Sequence, residues 1–275
     1  MRRISLLLIF VLLAGCGGGY FKVPKEEYQA RVRTLGVLPL LVDERSSLRH
    51  PDEGLIFELL QRENAGKEEL LVEELRTQKA YFDVRRIGGH PQDLFYGLVR
   101  GSTLGGEGKT SYRRYAFDAE AVKNLTDGHV VDGLLVVVLN GLQRPEKRWD
   151  RTRIRYLEAD YSAIQVSAAV VTPTGEVIWE YPSPPGSEFL PLQYPDFDEA
   201  HYNKAEAVAI KDISVKGLQR ALQERAGSLL GKGQEPLLYR KLFSELAGQL
   251  QPATFKLPGK AAAEPAAPAG SETRP

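Results

Sequence analysis

Apolar residues form two short continuous runs in the middle of the chain. Residues 34–42 are mostly apolar and contain Pro39, and residues 134–139 are apolar at every position. The first run predicts a strand that ends near Pro39 or runs along the edge of a sheet there, because proline has no backbone N–H for an interior ladder. The second run predicts a strand inside a sheet whose two faces are both covered.

Helical spacing marks several of the remaining segments. Leu71 and Leu75 share a face, and the pattern predicts helices over residues 55–60 and 68–78 that are separated by Asn64-Ala65-Gly66. Asp118 is the predicted N-cap of a helix over 119–125, with Gly128 as its stop. The same spacing predicts helices over 199–230 and 235–250.

The stretch over residues 156–171 is long and rich in β-forming residues. It leads through the turn Thr172-Pro173-Thr174-Gly175 into residues 177–181, which predicts a hairpin. Within this stretch the apolar positions change face, indicating a bulge or a change of packing partner. With a short strand over 82–87, the order of elements predicts one α/β sandwich domain over residues 34–251, built from a mixed sheet packed by helices.

The N-terminus has the pattern of an export signal. Arg2 and Arg3 precede an apolar run over residues 4–14, which is shorter than the roughly 20 residues that cross a bilayer. The following Leu13-Ala14-Gly15-Cys16 resembles the lipobox of bacterial lipoprotein precursors. The resemblance implies cleavage of a signal peptide over residues 1–15 and acylation of Cys16, with two or three chains giving durable attachment. Gly17 follows Cys16 at the position where an inner-membrane retention signal typically has Asp. This resembles the sorting pattern of outer-membrane lipoproteins and implies a location at the periplasmic face of that membrane.

The segments at both ends of the predicted domain have low complexity. Gly17, Gly18 and Gly19 are followed by a polar stretch, which predicts a flexible tether over residues 16–33. Residues 252–275 are rich in alanine and proline, which predicts a disordered tail.

Charge and cysteine content narrow the possible functions. The chain has 36 basic and 36 acidic residues, so it has no overall field that would attract nucleic acid. Its single cysteine, Cys16, is assigned to the lipid, which leaves no thiol nucleophile and no disulfide.

Several short segments resemble one group of envelope proteins. They are Val37-Leu38-Pro39-Leu40, Phe82-Asp83-Val84, Val131-Asp132-Gly133, and Ala169-Val170-Val171 turning into Val177-Ile178-Trp179. Together they resemble the periplasmic lipoproteins with the fold of the TolB N-terminal domain and of the curli-secretion lipoprotein CsgG. This resemblance implies a periplasmic α/β domain over residues 34–225. The segments at 101–115 and 182–195 are longer than in that group, and no membrane-inserting hairpins of a secretion pore are evident.

Residues 144–155 form the most charged stretch and contain Trp149. We predict a loop here whose partner contacts are Arg144, Lys147, Arg148, Trp149, Arg151 and Arg153. An arginine-rich aromatic loop suits the phosphates of lipid headgroups or an acidic partner. The alternative is a solvated loop whose arginines pair with Glu158 and Asp160.

Three other motifs suggest different chemistry. Glu158 and Asp160 share a strand face and can serve as the acid and base of an envelope glycan hydrolase. The cluster of Asp196, Asp198, Glu199 and His201 suits a small ligand or a hard cation, or simply the start of a helix. The glycine-rich segment at 105–110 lacks the first glycine of a phosphate-binding loop, since position 103 is a threonine.

The sequence therefore predicts a non-catalytic lipoprotein without a metal or cofactor. It would act as an interaction module in envelope assembly or transport, attached to the membrane by its lipid and contacting an envelope protein. The hydrolase and the ligand- or metal-binding lipoprotein are the alternatives, and the sequence leaves the oligomeric state open.

Overall fold

The computed structural model describes residues 20–182, 188–204, 207–225 and 235–251. The predicted signal peptide, Cys16 and the predicted tail over 252–275 lie outside the described residues. The predictions made for them stay predictions.

The first half of the chain alternates between helices and short strands. Its elements are α1 (Lys25–Arg31), β1 (Thr34–Val37), β2 (Leu41–Asp43), α2 (Glu53–Asn64), α3 (Glu68–Gln78), β3 (Asp83–Arg86), α4 (Pro91–Leu98), β4 (Val99–Gly105), a 3-10 turn (Gly108–Thr110), β5 (Tyr112–Phe117) and α5 (Ala119–His129).

The second half begins with two long strands. Its elements are β6 (Gly133–Trp149), β7 (Tyr156–Val171), β8 (Val177–Pro182), β9 (Leu190–Pro191), β10 (Gln193–Pro195), α6 (Phe197–Tyr202), β11 (Ile210–Asp212), α7 (Val215–Gln223) and α8 (Leu237–Leu250).

The main sheet is mixed and has seven strands among the described residues. Its central order is β3-β1-β6-β7-β8, with β2 also paired to β6 and β9 also paired to β7. Strands β1, β2, β3 and β6 run parallel, whereas β6, β7 and β8 are antiparallel. The small pairs β4–β5 and β10–β11 form separate sheets. This architecture confirms the predicted α/β fold with a mixed sheet and a late hairpin.

The central strand β6 is buried on both faces, as its continuous apolar run predicts. Leu135, Val137 and Leu139 point into one core, which is completed by α1, α2, α3, α7 and α8. The alternate residues Leu134, Val136 and Val138 enter a second core under α4, α5 and β5. Because successive strand residues point to opposite faces, one apolar run supports a three-layer sandwich.

Pro39 interrupts the first strand, as predicted. Val37 lies opposite Leu135 and Leu41 lies opposite Val138, so the interrupted strand has one more residue than its partner over this stretch. The extra residue is accommodated as a local irregularity between β1 and β2.

The change of face along β7 has no bulge on its β6 side. The β6–β7 register is unbroken from Leu134 opposite Val171 to Trp149 opposite Tyr156. Residues 161–171 of β7 are buried, whereas residues 156–160 are half-buried or exposed. The pattern therefore records a change of packing partner along the strand.

The prediction of a flexible tether is wrong for residues 20–33. Lys22 donates a backbone hydrogen bond to Ile178, Glu180 donates one to Tyr20, and Tyr28 of α1 is buried. The segment extends the sheet beyond β8 and then adds a helix to the core. Its aromatic residues explain the order: Phe21 packs edge-to-face on Tyr28 with ring centroids 4.9 Å apart.

Two helix predictions also need correction. The predicted helix over 199–230 is divided among α6, β11 and α7 in its described parts, because residues 210–212 pair with β10. Asp118 does cap α5 by accepting from the Ala121 N–H, but the helix ends at Val130, which adopts left-handed backbone angles. Gly128 lies within the helix.

Candidate interaction surface

Strands β6 and β7 extend well beyond the rest of the sheet. The last residue of β6 that pairs with β2 is Asn140, yet the β6–β7 ladder continues to Trp149 and Tyr156. We call this extension, residues 141–164, the arm. The first half of the charged stretch, residues 144–149, is thus strand and residues 150–155 form the turn, so the prediction of a loop is wrong for residues 144–149.

The turn is closed by Asp150. Its backbone N–H donates to the Arg155 carbonyl at 2.9 Å, and its carboxylate accepts from the Thr152 hydroxyl and the Ile154 N–H. A carboxylate that binds its own turn in this way fixes the loop geometry. The backbone of the turn therefore holds the side chains of residues 151–155 in defined positions.

Arg144 is not a partner contact, which corrects the sequence prediction. Only 2% of its surface is exposed, and its Nε lies 3.2 Å from Glu146 Oε1. Arg148 is also mainly internal. It pairs with Glu146 at 2.9 Å and with Glu188 at 3.0 Å, while its guanidinium lies 4.1 Å from the centroid of the Tyr161 ring.

The other predicted contacts are at the surface. Trp149 is half exposed and packs on Tyr156 with ring centroids 5.0 Å apart, and Lys147 lies 4.3 Å over the same tyrosine ring. Arg151 and Arg153 are exposed in the turn. Arg151 reaches Asp198 of α6 at 3.1 Å.

Sequence reasoning missed the segment that completes this surface. Strands β10 and β11 and helix α6 pack beside the arm, leaving a cleft of about 410 Å³ lined by Arg151, Ile154, Phe197 and His201 among others. Of the eleven large apolar side chains exposed in the described part of the chain, six lie here. They are Trp149, Ile154, Tyr156, Tyr194, Tyr202 and Ile210.

We call these six residues, together with Lys147, Arg151 and Arg153, the arm-end surface. Trp149 packs on Tyr156 and lines a cleft together with Tyr194, and Ile154 lines the neighbouring cleft. Clustered apolar groups among charges mark binding sites more often than scattered ones do. The single signal in the sequence was the charged stretch itself. Tyr194 and Tyr202 lie beside the charged stretch because β10 pairs with β11, and no local sequence pattern predicts this pairing.

Glu158 and Asp160 lie on the exposed side of the arm and do not converge in a cleft. Glu158 Oε1 is 2.7 Å from Lys109 and Oε2 is 3.6 Å from Lys147. The hydrogen bond and charge of Lys109, with Lys147, hold the pKa of Glu158 below its ordinary value. A general acid needs the opposite shift, so the environment of Glu158 does not suit that role.

Lys109 belongs to the glycine-rich segment, which forms the end of the β4–β5 hairpin. A 3-10 turn occupies residues 108–110, and a strand rather than a helix follows it. This context does not fit a phosphate-binding loop, which needs a following helix N-terminus.

A different carboxyl pair, which the sequence did not reveal, lies at the base of the arm. Glu146 and Glu188 both pair with Arg148 beside a cleft of about 500 Å³ that Lys109, Arg144 and Lys147 also line. Burial and the neighbouring Glu146 raise the pKa of Glu188 to about 7. Burial raises the pKa of Glu146, but the interactions with Glu188 and Arg148 outweigh it and hold this pKa below the ordinary value.

This carboxyl pair does not have glycosidase geometry. The two carboxyl groups of such an enzyme stand about 5–9.5 Å apart, so that a sugar and water fit between them. Here one guanidinium nitrogen of Arg148 binds both, 2.9 Å from Glu146 and 3.0 Å from Glu188. Arg148 also donates to the Gln193 carbonyl, so the network fastens β10 and residue 188 to the arm.

The acidic cluster around α6 is explained by helix capping and ion pairs. Asp196 accepts from the Glu199 N–H at 2.9 Å, and Lys211 pairs with both residues. Asp198 pairs with Arg151, as described above. No group of three potential metal ligands occurs among the residues that the structure describes.

Comparisons with protein-family models, curated proteins and solved structures find no match to this chain. The resemblance to the TolB- and CsgG-like lipoproteins therefore stays a prediction. Within the described ranges, no helix has the length and apolar character to cross a membrane.

Proposed function

We propose that this chain is a lipid-anchored protein of the periplasmic face of the outer membrane, and that its folded domain acts by binding rather than by catalysis. Acylated Cys16 would hold it at the membrane, and the arm-end surface would make the contact. The observation that carries the proposal is that six of the eleven large apolar side chains exposed in the described residues belong to the end of the arm and to the elements beside it.

Two features of the surface support a binding role. The arm is held rigid by an unbroken ladder and by the Arg148 network, so its end is preorganised. Aromatic and arginine side chains, which dominate the surface, contribute most to the affinity of protein contacts. Participation in envelope assembly or transport remains part of the proposal.

Site-specific photo-crosslinking in whole cells tests this function. A photoreactive residue at Ile154, 79% exposed at the end of the arm, should form a specific adduct. The same residue at Leu55 of α2, 53% exposed on another part of the domain, is the matched control. Identical adduct patterns at both positions would remove the arm end as the contact surface.

A further inference from the structure

We infer that the arm-end surface rests on the headgroup region of the same bilayer that holds the anchor. This inference depends on the proposed acylation of Cys16 and names the partner of the proposed surface. Four observations support it: the direction in which the chain enters the domain, the length available to it, the edge of the sheet involved, and the chemistry of the exposed side chains.

The direction follows from strand pairing. Residues 20–22 run antiparallel to β8, since Phe21 bridges Trp179 and the Tyr20 carbonyl accepts from Glu180. Strand β8 is in turn antiparallel to β7, with Val177 opposite Val171 and Pro182 opposite Ser167. Followed backward from Lys22 to Tyr20, the chain therefore heads toward the arm end.

The entry of the chain at Tyr20 and the segment beside the arm also share one edge of the sheet. One edge of β7 is occupied along its whole length by β6, so β8 and β9 both pair with the other edge. Residues 20–22 lie outside β8, and β10, β11 and α6 follow β9 toward the arm end. The entry of the chain and the segment with Tyr194 and Tyr202 are thus on the same edge of β7, and Tyr194 lines a cleft together with Trp149.

The length of the linking chain limits the orientation. Three residues lie between Cys16 and Tyr20, so the four Cα–Cα steps that join them span at most about 14 Å. Ala169 lies opposite Glu180, and the 13 residues from there to Tyr156 cover about 43 Å of strand. The bilayer must therefore pass close to Tyr20, and this edge can meet it at both places by lying along the membrane.

The exposed side chains suit an interface between water and lipid. Tryptophan and tyrosine concentrate at headgroup level, where one end of the ring is apolar and the other is wet. Trp149, Tyr156, Tyr194 and Tyr202 provide such rings, and Ile154 provides an apolar tip. Lys147, Arg151 and Arg153 can bind lipid phosphates.

Tryptophan fluorescence gives a site-specific test, because the chain has only two tryptophans. Trp149 is 50% exposed, whereas Trp179 is fully buried. The acylated protein is reconstituted into phosphatidylethanolamine–phosphatidylglycerol vesicles that contain lipids spin-labelled near the headgroup or deep in the chain. The difference between the wild type and W149F isolates the Trp149 signal.

We expect the Trp149 emission of the vesicle-bound protein to be blue-shifted relative to that of protein without Cys16 measured in buffer without detergent. We also expect the shallow spin label to quench Trp149 fluorescence more than the deep label does. The signal of Trp179, recorded in W149F, should change with neither label. R151E/R153E should reduce the loss, and R62E/K123E, which makes the same charge change on α2 and α5, should leave it unaltered.

Two results would overturn the inference. One is acylated, vesicle-bound protein whose Trp149 is not quenched by the shallow label. The other is an Ile154 adduct in cells that contains protein instead of lipid. Either result leaves the anchored binding function standing, whereas an unacylated N-terminal peptide in mass spectrometry would show that the proposed function itself fails.

Discussion

Glu188 shows how one residue can make stability depend on pH. Its pKa of about 7 lies above the ordinary glutamate value of 4.5, so the folded state binds more protons than the unfolded state between these limits. The free energy of unfolding should therefore fall as pH rises through this window. The groups around it are Glu146 and Arg148, with Arg144 on the far side of Glu146.

Glu188→Gln should remove this dependence, because glutamine stays neutral and can still donate to Glu146. We expect the variant to be more stable than the wild type at pH 8 by about 1–2 kcal/mol and nearly equal to it at pH 5. Chemical denaturation at the two pH values measures the difference. The control is Glu158→Gln, because the pKa of Glu158 is lowered rather than raised, and this variant should gain no stability at pH 8. An equal gain in both variants would show that the raised pKa of Glu188 is not the cause.

At the level of single residues, the sequence predicted exposure correctly only where exposure is set locally, and the partner contacts themselves stay a prediction. Lys147, Trp149, Arg151 and Arg153 are exposed near or within a turn, as expected for a charged stretch. Arg144 is buried because Glu146 and the surrounding strands enclose it, and Glu188 meets Glu146 from 42 positions away in the sequence. Neither the burial of Arg144 nor the meeting of Glu188 with Glu146 can be predicted from the residues next to them in the sequence.

At the scale of elements, the segment over residues 20–33 carries the clearest stability prediction. Tyr28 is 2% exposed, and its hydroxyl lies 2.6 Å from that of Tyr81. Tyr28→Ala should lower the free energy of unfolding by about 3–5 kcal/mol, because it leaves a cavity and an unpaired hydroxyl. Tyr202→Ala, at an 81% exposed position, should change it by less than about 0.5 kcal/mol. Equal small effects in urea unfolding would restore the tether interpretation.

Elements with strong local signals were predicted closely. Strand β7 and helix α3 have the bounds expected from their apolar patterns, and the break at Asn64-Ala65-Gly66 is present. The segment over residues 20–33 was misjudged because its polar residues outnumber the aromatic ones that hold it. The region after α6 was misjudged because residues 210–212 pair with β10, and long-range pairing overrides helical spacing.

At the scale of the whole molecule, packing of residues 20–33 changes what an anchor would do. A tether over residues 16–33 would let the domain move freely above the membrane, since a flexible chain of 18 residues spans about 20–25 Å on average. Because Tyr20 already pairs with β8, only residues 16–19 separate the proposed lipid from the sheet. The anchor would therefore set the orientation of the domain as well as its location.

Cys16→Ser tests the anchor on which this orientation depends. The thioether to diacylglycerol needs the cysteine sulfur, so we expect the variant to remain an unprocessed precursor without acyl label. Metabolic labelling with a fatty acid, together with the mass of the N-terminal peptide, measures both properties. Gly18→Ser changes a nearby residue without removing the sulfur and should be acylated and cleaved normally. Normal labelling of the Cys16→Ser protein would contradict the lipid anchor, and the domain would then have no fixed relation to a bilayer.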